Sequence, residues 1–374
     1  MIKPLEKINL EFEKNFQAIF NTPKLTQKYL NQRSDIFDEL IIDEFLKRKL
    51  ENDFAIVALG GYGRRELYPS SDIDLSIIQL TKKTKKIDDV RDFIGWLWTL
   101  KVKIGHSVRT IKDIDKITRS DLKEFTSYLS NRVIYCHRNN INDLNQNLKK
   151  ISSNWNKTKF FNAKKLEQQR RYQSFDSTEF SLEPDLKESP GCLRDFQTAL
   201  WVLEHCFEIE KLEDCIKIKL FKKIEIKNVK KSYDHIKSLR YILNLNNHSN
   251  RISFENQLLL AKKSKLKSSK KSSAVEKFMR TFFLHASNLS DFNELVFQAY
   301  EDQLTILKRS YSRDFYIFKD RLGISDRINL VKKPEFILES LKKVGELKKI
   351  NGLDFKSIKK IKSALSQIDP NYFL

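Results

Sequence analysis

The stretch 59–78, LGGYGRRELYPSSDIDLSII, constrains the fold more than any other part of this chain. Gly60 and Gly61 stand at the end of the apolar run FAIVAL (54–59). After ten intervening residues a second run opens with Asp72 and Asp74, separated by one apolar residue. A short apolar run stopped by glycine reads as a buried strand. The run DIDLSIIQL (72–80) alternates at its start, so Asp72, Asp74 and Ser76 fall on one face and Ile73, Leu75 and Ile77 on the other. Two strands joined in this way exclude an all-helical chain. Glycine is scarce elsewhere, with nine in 374 residues against a usual share of roughly 7%. Three of the nine fall between Gly60 and Gly63.

Around this centre the chain reads mostly as helix. Residues 1–50 are helical in pattern, with Ser34 as an N-cap and Ile36, Leu40 and Phe45 near helical spacing. A helix is expected over IDDVRDFIGWLWTL and a strand over VKIGHSVRT (102–110). From about Ser120 onward helix dominates. Leu122, Phe125, Leu129, Val133 and Cys136 form one stripe, and Leu193, Phe196, Leu200, Leu203 and Phe207 a second. Val275, Met279, Phe282 and Ala286 open a long third. No internal repeat of fixed period is present. The pattern predicts an α+β chain: a helical segment at 1–50 packing on an α/β domain at 51–145, then an all-helical domain at 146–374.

Composition narrows the function classes. Apolar residues make up 40%, with 26 Phe, 12 Tyr and 4 Trp, which argues against a largely disordered chain. Apolar stretches are far short of a membrane span, and the N-terminus has no apolar run of signal-peptide type. The cysteines, Cys136, Cys192, Cys206 and Cys215, lack CxxC spacing and are too few for a disulfide framework, so the expected setting is a reducing cytoplasm. The net charge of +21 is spread through nearly every segment and is dominated by lysine. That reads as compositional drift rather than a nucleic-acid footprint. One run is concentrated, KKSKLKSSKKSS (262–273), with six lysines and no acid. It reads as a solvated loop, with attraction of an acidic partner as the alternative.

Strand alternation puts Asp72 and Asp74 on one face with Cα atoms about 6.6 Å apart. Two carboxylates at that spacing suit a pair of metal ions that stabilise the attacking and leaving oxygens of a phosphoryl displacement. Mg²⁺ fits because it takes a few carboxylates plus substrate phosphates, and Mn²⁺ is the alternative ion. A Gly-Gly turn lets backbone N–H groups approach a phosphate with no Cβ in the way. Either element alone is a weak signal. Together, between two apolar strands, they read as a nucleoside triphosphate site.

The stretch resembles the nucleotidyltransferase superfamily of DNA polymerase β, and within it the family of uridylyltransferases that modify the PII nitrogen-signalling protein. GGYGRRELYPSSDIDL, IGHSVRT (104–110), LEPDLKESPGCLRDFQTALW (182–201) and AVEKFMRTFFLHASNLSDFNEL (274–295) carry the likeness, which covers nearly the whole chain. The resemblance implies a small mixed sheet with flanking helices followed by a helical bundle. It implies Mg²⁺ on Asp72 and Asp74, and Gly60, Gly61, Arg64 and Ser71 toward the triphosphate. Lys187 and Arg194 would face the nucleotide, with Glu183 and Asp195 lining the cleft beside them. On their own these four would pass for helix-start charges and a salt bridge, and Arg64 for a surface arginine. His106 alternates with Ile104 and Val108, so spacing alone makes it a core histidine. The resemblance adds it, with Arg109, as a cleft residue.

Three positions depart from the family pattern. Arg65 stands where glycine is usual, Cys192 replaces the second glycine of a Gly-Gly-Leu-Arg-Asp run, and Lys103 occupies a commonly acidic position. The third carboxylate that superfamily members use is therefore unassigned. No His-Asp dipeptide of a phosphohydrolase domain occurs, so the expected reaction is transfer without uridylyl removal or glutamine sensing. UTP and a PII-type protein are the expected partners, with no membrane and no nucleic acid. The alternatives are another base or acceptor, as in an adenylyltransferase, or a catalytically decayed protein that binds PII or nucleotide.

Overall fold

A computed structural model describes residues 3–81, 84–175, 177–304, 308–365, 367–369 and 372. The chain forms two compact units, Met1–Asn293 and Glu294–Leu374. The division at residues 50 and 145 concerns modules rather than these units and remains a proposal.

In the first unit, α1 (Lys3–Lys14), α2 (Phe16–Asn21) and α3 (Thr26–Lys47) precede β1 (Phe54–Ala58). After β1 the chain makes a four-residue helical turn, α4 (Gly60–Gly63), then β2 (Ile73–Gln79), α5 (Ile87–Thr99) and β3 (Ile104–Thr110). Helices α6 (Ile111–Ser120) and α7 (Leu122–Leu129) lead to β4 (Arg132–Tyr135) and α8 (Ile141–Ile151). The strands form one mixed sheet of order β3-β2-β1-β4, with β2 parallel to β3 and the other pairs antiparallel.

Both sheet faces are covered. Phe37, Ile41 and Phe45 of α3 join Val90, Phe93 and Leu97 of α5 against Ile56, Ile73, Leu75 and Ile77. On the other side Ile114, Tyr128, Leu144 and Leu148 cover Ala55, Val57 and Ile78. A strand buried on both faces reads as a continuous apolar run, and FAIVA is buried at every position.

The structure corrects four local readings. Ser34 is not an N-cap. It lies buried inside α3 and donates to Leu30 O at 3.0 Å, because no Gly or Pro interrupts the chain between Thr26 and Lys47. The stripe from Leu122 to Cys136 is not one helix. It breaks at Ser130 and Asn131, and Val133 enters β4, which pairs with the open edge of β1. The Gly-Gly segment is the start of α4 rather than an open turn. The region after residue 146 is not all helical, as the second unit shows.

Helices α9 (Lys157–Gln173), α10 (Leu193–Phe207), α11 (Asp214–Lys217), α12 (Lys223–Asn247), α13 (Phe254–Lys263) and α14 (Ala274–Gln303) follow. The turn into α10 is fixed by Gly191, whose φ is +72° and where a Cβ would lie 2.4 Å from Ala286 O. Its neighbour Cys192 has φ −103°, an ordinary conformation. The second glycine of the family run is therefore dispensable to the backbone here, and the first is not. No helix among the described residues is long and apolar enough to cross a membrane.

The second unit holds β5 (Lys308–Ser310), β6 (Phe315–Phe318) and β7 (Arg321–Ile324) in an antiparallel sheet, then α15 (Glu335–Glu346) and α16 (Phe355–Leu365). Phe315, Leu322, Ile324, Ile337 and Ala364 form its core. Gly323 faces Tyr316 across the sheet, and a Cβ there would lie 2.1 Å from the ring.

Two glycines give opposite expectations. Gly191→Ala should destabilise the protein by about 2–4 kcal/mol through positive φ and overlap with backbone. Gly95→Ala, exposed in α5 with nothing within 4 Å of the added carbon, should stabilise it by about 0.5–1 kcal/mol. Urea unfolding of both variants measures the difference.

Candidate active site

The β1-to-α4 junction and the start of β2 are held together by a hydrogen bond from Leu59 N to Asp74 O at 2.9 Å. Gly60 follows with φ +55°, and a Cβ at Gly60 would come 3.5 Å from Asp74 Oδ2. On the other side, Asp74 pairs in register with Gly105 of β3, where a Cβ would come 2.6 Å from Asp74 Oδ1. The carboxylate thus sits in a cradle between two glycines. Positive φ belongs to Gly60 and not to Gly61, where a Cβ would make only ordinary contact, 3.7 Å from Glu66 O.

These groups open into a cavity of about 670 Å³ within the first unit. Gly60, Gly61, Arg64, Ser71, Asp72, Asp74, Lys187 and Arg194 all line it. His106, Arg109, Glu183 and Asp195 are not among its lining residues. His106 pairs with Leu75, on the strand face opposite Asp74, and meets the Trp98 ring at 5.9 Å. Arg109 is held bidentately by Glu124 at 2.7 and 2.9 Å. Glu183 pairs with Arg251 at 3.0 Å and accepts from Phe254 N. Asp195 is fully buried, paired with Arg171, and accepts from Tyr172 Oη at 2.6 Å and Gly191 N at 2.7 Å. It anchors the turn into α10.

Charge in the cavity is divided. Three of its acids are already paired: Glu66 with Arg64 at 3.0 Å, Glu167 with Lys164 at 3.0 Å and Glu188 with Arg194 at 3.1 Å. Asp72 and Asp74 are not, since among the described residues neither side chain makes a hydrogen bond or ion pair. Surrounding protein and the Asp72 charge raise the pKa of Asp74, against the opposing pull of Lys187 and Arg64. Burial and the Arg194 charge lower the pKa of Lys187. Two unpaired carboxylates facing cations invite a cation on one side and an anion on the other. No third His, Cys, Asp or Glu converges with them among the described residues. Glu124 is near enough to raise the pKa of Asp74, but Arg109 holds it. Lys103 lines the cavity instead, with its carbonyl accepting from Ile73 N at 2.8 Å.

Several lining residues carry no isolated sequence signal. Lys164 is buried beneath the cavity wall, 4.5 Å from the Trp201 ring centroid, and burial pulls its pKa down to about 8. Trp201 Nε1 and Arg64 Nη1 both donate to Ser130 Oγ, at 3.0 and 3.2 Å. Arg240 lies 4.1 Å from the Tyr68 ring centroid. Lys164 sits on a helix with little amphipathic pattern, so its inward aim was not readable. Trp201 ends the stretch quoted above for its family likeness, which is the signal that could have found it.

In chemical terms the arrangement sets two unpaired carboxylates beside lysine and arginine side chains in one cavity. Residues 159–297, which include Lys164, Lys187, Arg194, Trp201 and Arg240, match the family model described as GlnD PII-uridylyltransferase. The chain is 31% identical, over 83% of its length, to the bifunctional uridylyltransferase/uridylyl-removing enzyme of Haemophilus influenzae (strain PittEE), of which it spans 37%. It is 29% identical over 92% of its length to the enzyme of that name from Hydrogenovibrio crunogenus, spanning 40% of it. With the Nitrosococcus oceani enzyme of that name it shares 29% over 96%, spanning 41%. Residues 159–297 thus carry the match to the GlnD PII-uridylyltransferase model, and the likeness to the uridylyltransferase/uridylyl-removing enzymes extends over most of the chain. The chain spans about two fifths of the length of these curated relatives.

Gly105→Ala tests the cradle. The added carbon meets the mobile end of Asp74 rather than backbone, so the melting temperature should hold while Mn²⁺ affinity falls about tenfold. Titration followed by electron paramagnetic resonance, with thermal melting alongside, reads both.

Proposed function

We propose that this chain transfers UMP from UTP to a tyrosine hydroxyl of a PII-type signalling protein, releasing pyrophosphate. The observation that carries the reading is the unpaired pair Asp72 and Asp74, the latter cradled between Gly60 and Gly105, in a cavity whose other acids are paired with cations. The uridylyltransferase names of the relatives support the nucleotide, and the description of the matching family model supports PII as acceptor. A cytoplasmic setting belongs to the same reading.

The donor set fits Mg²⁺ or Mn²⁺: two carboxylates with free lone pairs, leaving room for water and phosphate oxygens. Asp72 and Asp74 would hold the ion, which supplies charge neutralisation at the phosphates and favours the ionised acceptor. Arg64, Lys187 and Arg194 orient the triphosphate, and Gly60 and Gly61 let it approach the backbone. The tyrosine oxygen forms a bond to the α-phosphorus while the bond to the bridging oxygen breaks and pyrophosphate leaves with that electron pair. The phenol, with a usual pKa near 10, gives its proton to water in the open cavity.

Incubation with a PII protein, UTP and Mg²⁺ should add one uridylyl mass to a tyrosine peptide in mass spectrometry. Asp72→Asn and Asp74→Asn should each lower the rate by more than about a hundredfold, beyond what loss of a group supporting a metal ligand costs. Circular dichroism should be unchanged. Transfer at the normal rate by either variant would overturn the reading.

Lys103 favours a second reading, in which the chain binds nucleotide and transfers it slowly. An ammonium in the same cavity repels the cation and attracts the phosphates. Lys103→Glu should lower the Mg²⁺ concentration for half-maximal activity and raise the rate. A metal dependence that does not move would mean the ammonium is turned to solvent.

A further inference from the structure

Two stretches, 182–187 and 248–254, lie side by side and lead from the cavity rim to the outer surface. Leu186 N donates to Asn250 O and Ile252 N donates to Pro184 O, both at 2.8 Å, and Asp185 and Arg251 form an antiparallel bridge. Lys187 and Asn250 line the cavity. From Lys187 to Leu182 the chain covers at most about 16 Å. At its outer end Leu182 is 70% exposed, and its carbonyl accepts from Gln257 Nε2 at 2.8 Å. Beside it Phe254 and Leu258, one turn apart on α13, are 59% and 64% exposed. Phe180 and Leu182 flank the buried Ser181 and are both mostly exposed. Phe180 packs on Phe283 at 5.7 Å over a groove that Leu284 also lines.

Single exposed apolar residues need no explanation, but a continuous set of them does. This set also has a charged border. Residues 251–280 carry nine basic side chains and two acidic ones, and they include the lysine run 262–273. A phenol entering the cavity touches little of the enzyme, so selecting one protein needs contact outside it, typically about 800 Å² per partner.

We propose that Phe180, Leu182, Phe254, Leu258 and Leu284 form the docking surface for the acceptor protein. The partner that fits has an apolar side chain set in an acidic face, and it delivers its tyrosine over the rim at Lys187 and Asn250. The identity of the occupant rests on the transfer reading above. The lysines speed encounter and make it salt-dependent, and the apolar centre sets the residence time.

The test is biolayer interferometry of a purified PII protein on the immobilised full chain, with UTP affinity and transfer measured in parallel. The triple variant Leu182→Ser, Phe254→Ser, Leu258→Ser should weaken PII binding at least tenfold and raise the KM for PII. Its UTP affinity, kcat and melting temperature should stay near normal, because all three side chains are mostly exposed. Replacing the six lysines of 262–273 by Gln should slow association and flatten its salt dependence. PII binding unchanged in the triple variant overturns the docking surface while leaving transfer intact. A chain that binds PII through these residues but transfers nothing keeps the surface and overturns the transfer reading. No PII binding by the unsubstituted chain, or capture of single-stranded RNA in its place, overturns the docking proposal.

Discussion

A single buried carboxylate, that of Glu66, holds the floor of the cavity together. It accepts from Arg64 Nε at 3.0 Å, from Gln197 Nε2 at 3.3 Å and from the Tyr233 hydroxyl. Burial alone would raise its pKa, yet Arg64, Lys237 and Tyr233 together hold it below the usual carboxylate range. These partners come from three parts of the chain: the segment after α4, helix α10 and helix α12. One charge therefore fixes how the segment that leads to Asp72 and Asp74 meets helix α10, which carries Arg194. Removing it would leave Arg64 and the Tyr233 hydroxyl buried without their acceptor, a loss on the order of 3–5 kcal/mol. The segment GRRELYPSSD thus does more than link two strands. Arg64 and Glu66 within it build the junction on which the cavity depends.

The sheet was legible wherever burial imposed a period on the sequence. FAIVA and IDLSIIQ lie within the runs expected for them: FAIVA is buried at every position and reads apolar throughout, while IDLSIIQ opens on an alternation that turns Asp74 to the cavity. The strand at 104–110 was readable despite its polar content, from its alternation. Short elements escaped. RVIY has four residues and follows a helix in an apolar stripe of matching spacing, so only its pairing with β1 separates strand from helix. FYIF and RLGI have the same length, and the hairpin between them turns on Lys319 at φ +57°, with no glycine to announce it. Non-local pairing decided these segments, and local sequence does not encode it strongly.

At the site, alternation placed Asp72 and Asp74 on one face, and the family pattern supplied Lys187 and Arg194. What could not be read was which charges would be consumed by each other. Asp195 and Glu183 resemble site residues by position, yet Asp195 is fully buried and serves Gly191, Tyr172 and Arg171, while Glu183 serves Arg251 and Phe254 N. Arg109 likewise spends its fork on Glu124. A charged residue in a motif has two fates, facing a ligand or satisfying its neighbours. Only the neighbours decide between them, and they come from distant sequence.

The three departures from the family pattern differ in what they reach. Cys192 has ordinary backbone angles, so replacing glycine there leaves the conformation alone. Arg65 keeps a conformation suited to glycine, with φ +57°, at a cost of about 1 kcal/mol. Its contacts with Asp35 and Asp38 offset part of that, since pairs of such exposure contribute about 0.2–1 kcal/mol each. Both substitutions are absorbed by the scaffold. Lys103 differs from both, because it lines the same cavity as the two unpaired carboxylates. Lys103 immediately precedes β3, and its carbonyl accepts from Ile73 N, a bond that any residue type could make. Of the three departures it is the one that lines the cavity, so it is the one whose charge the two carboxylates meet there.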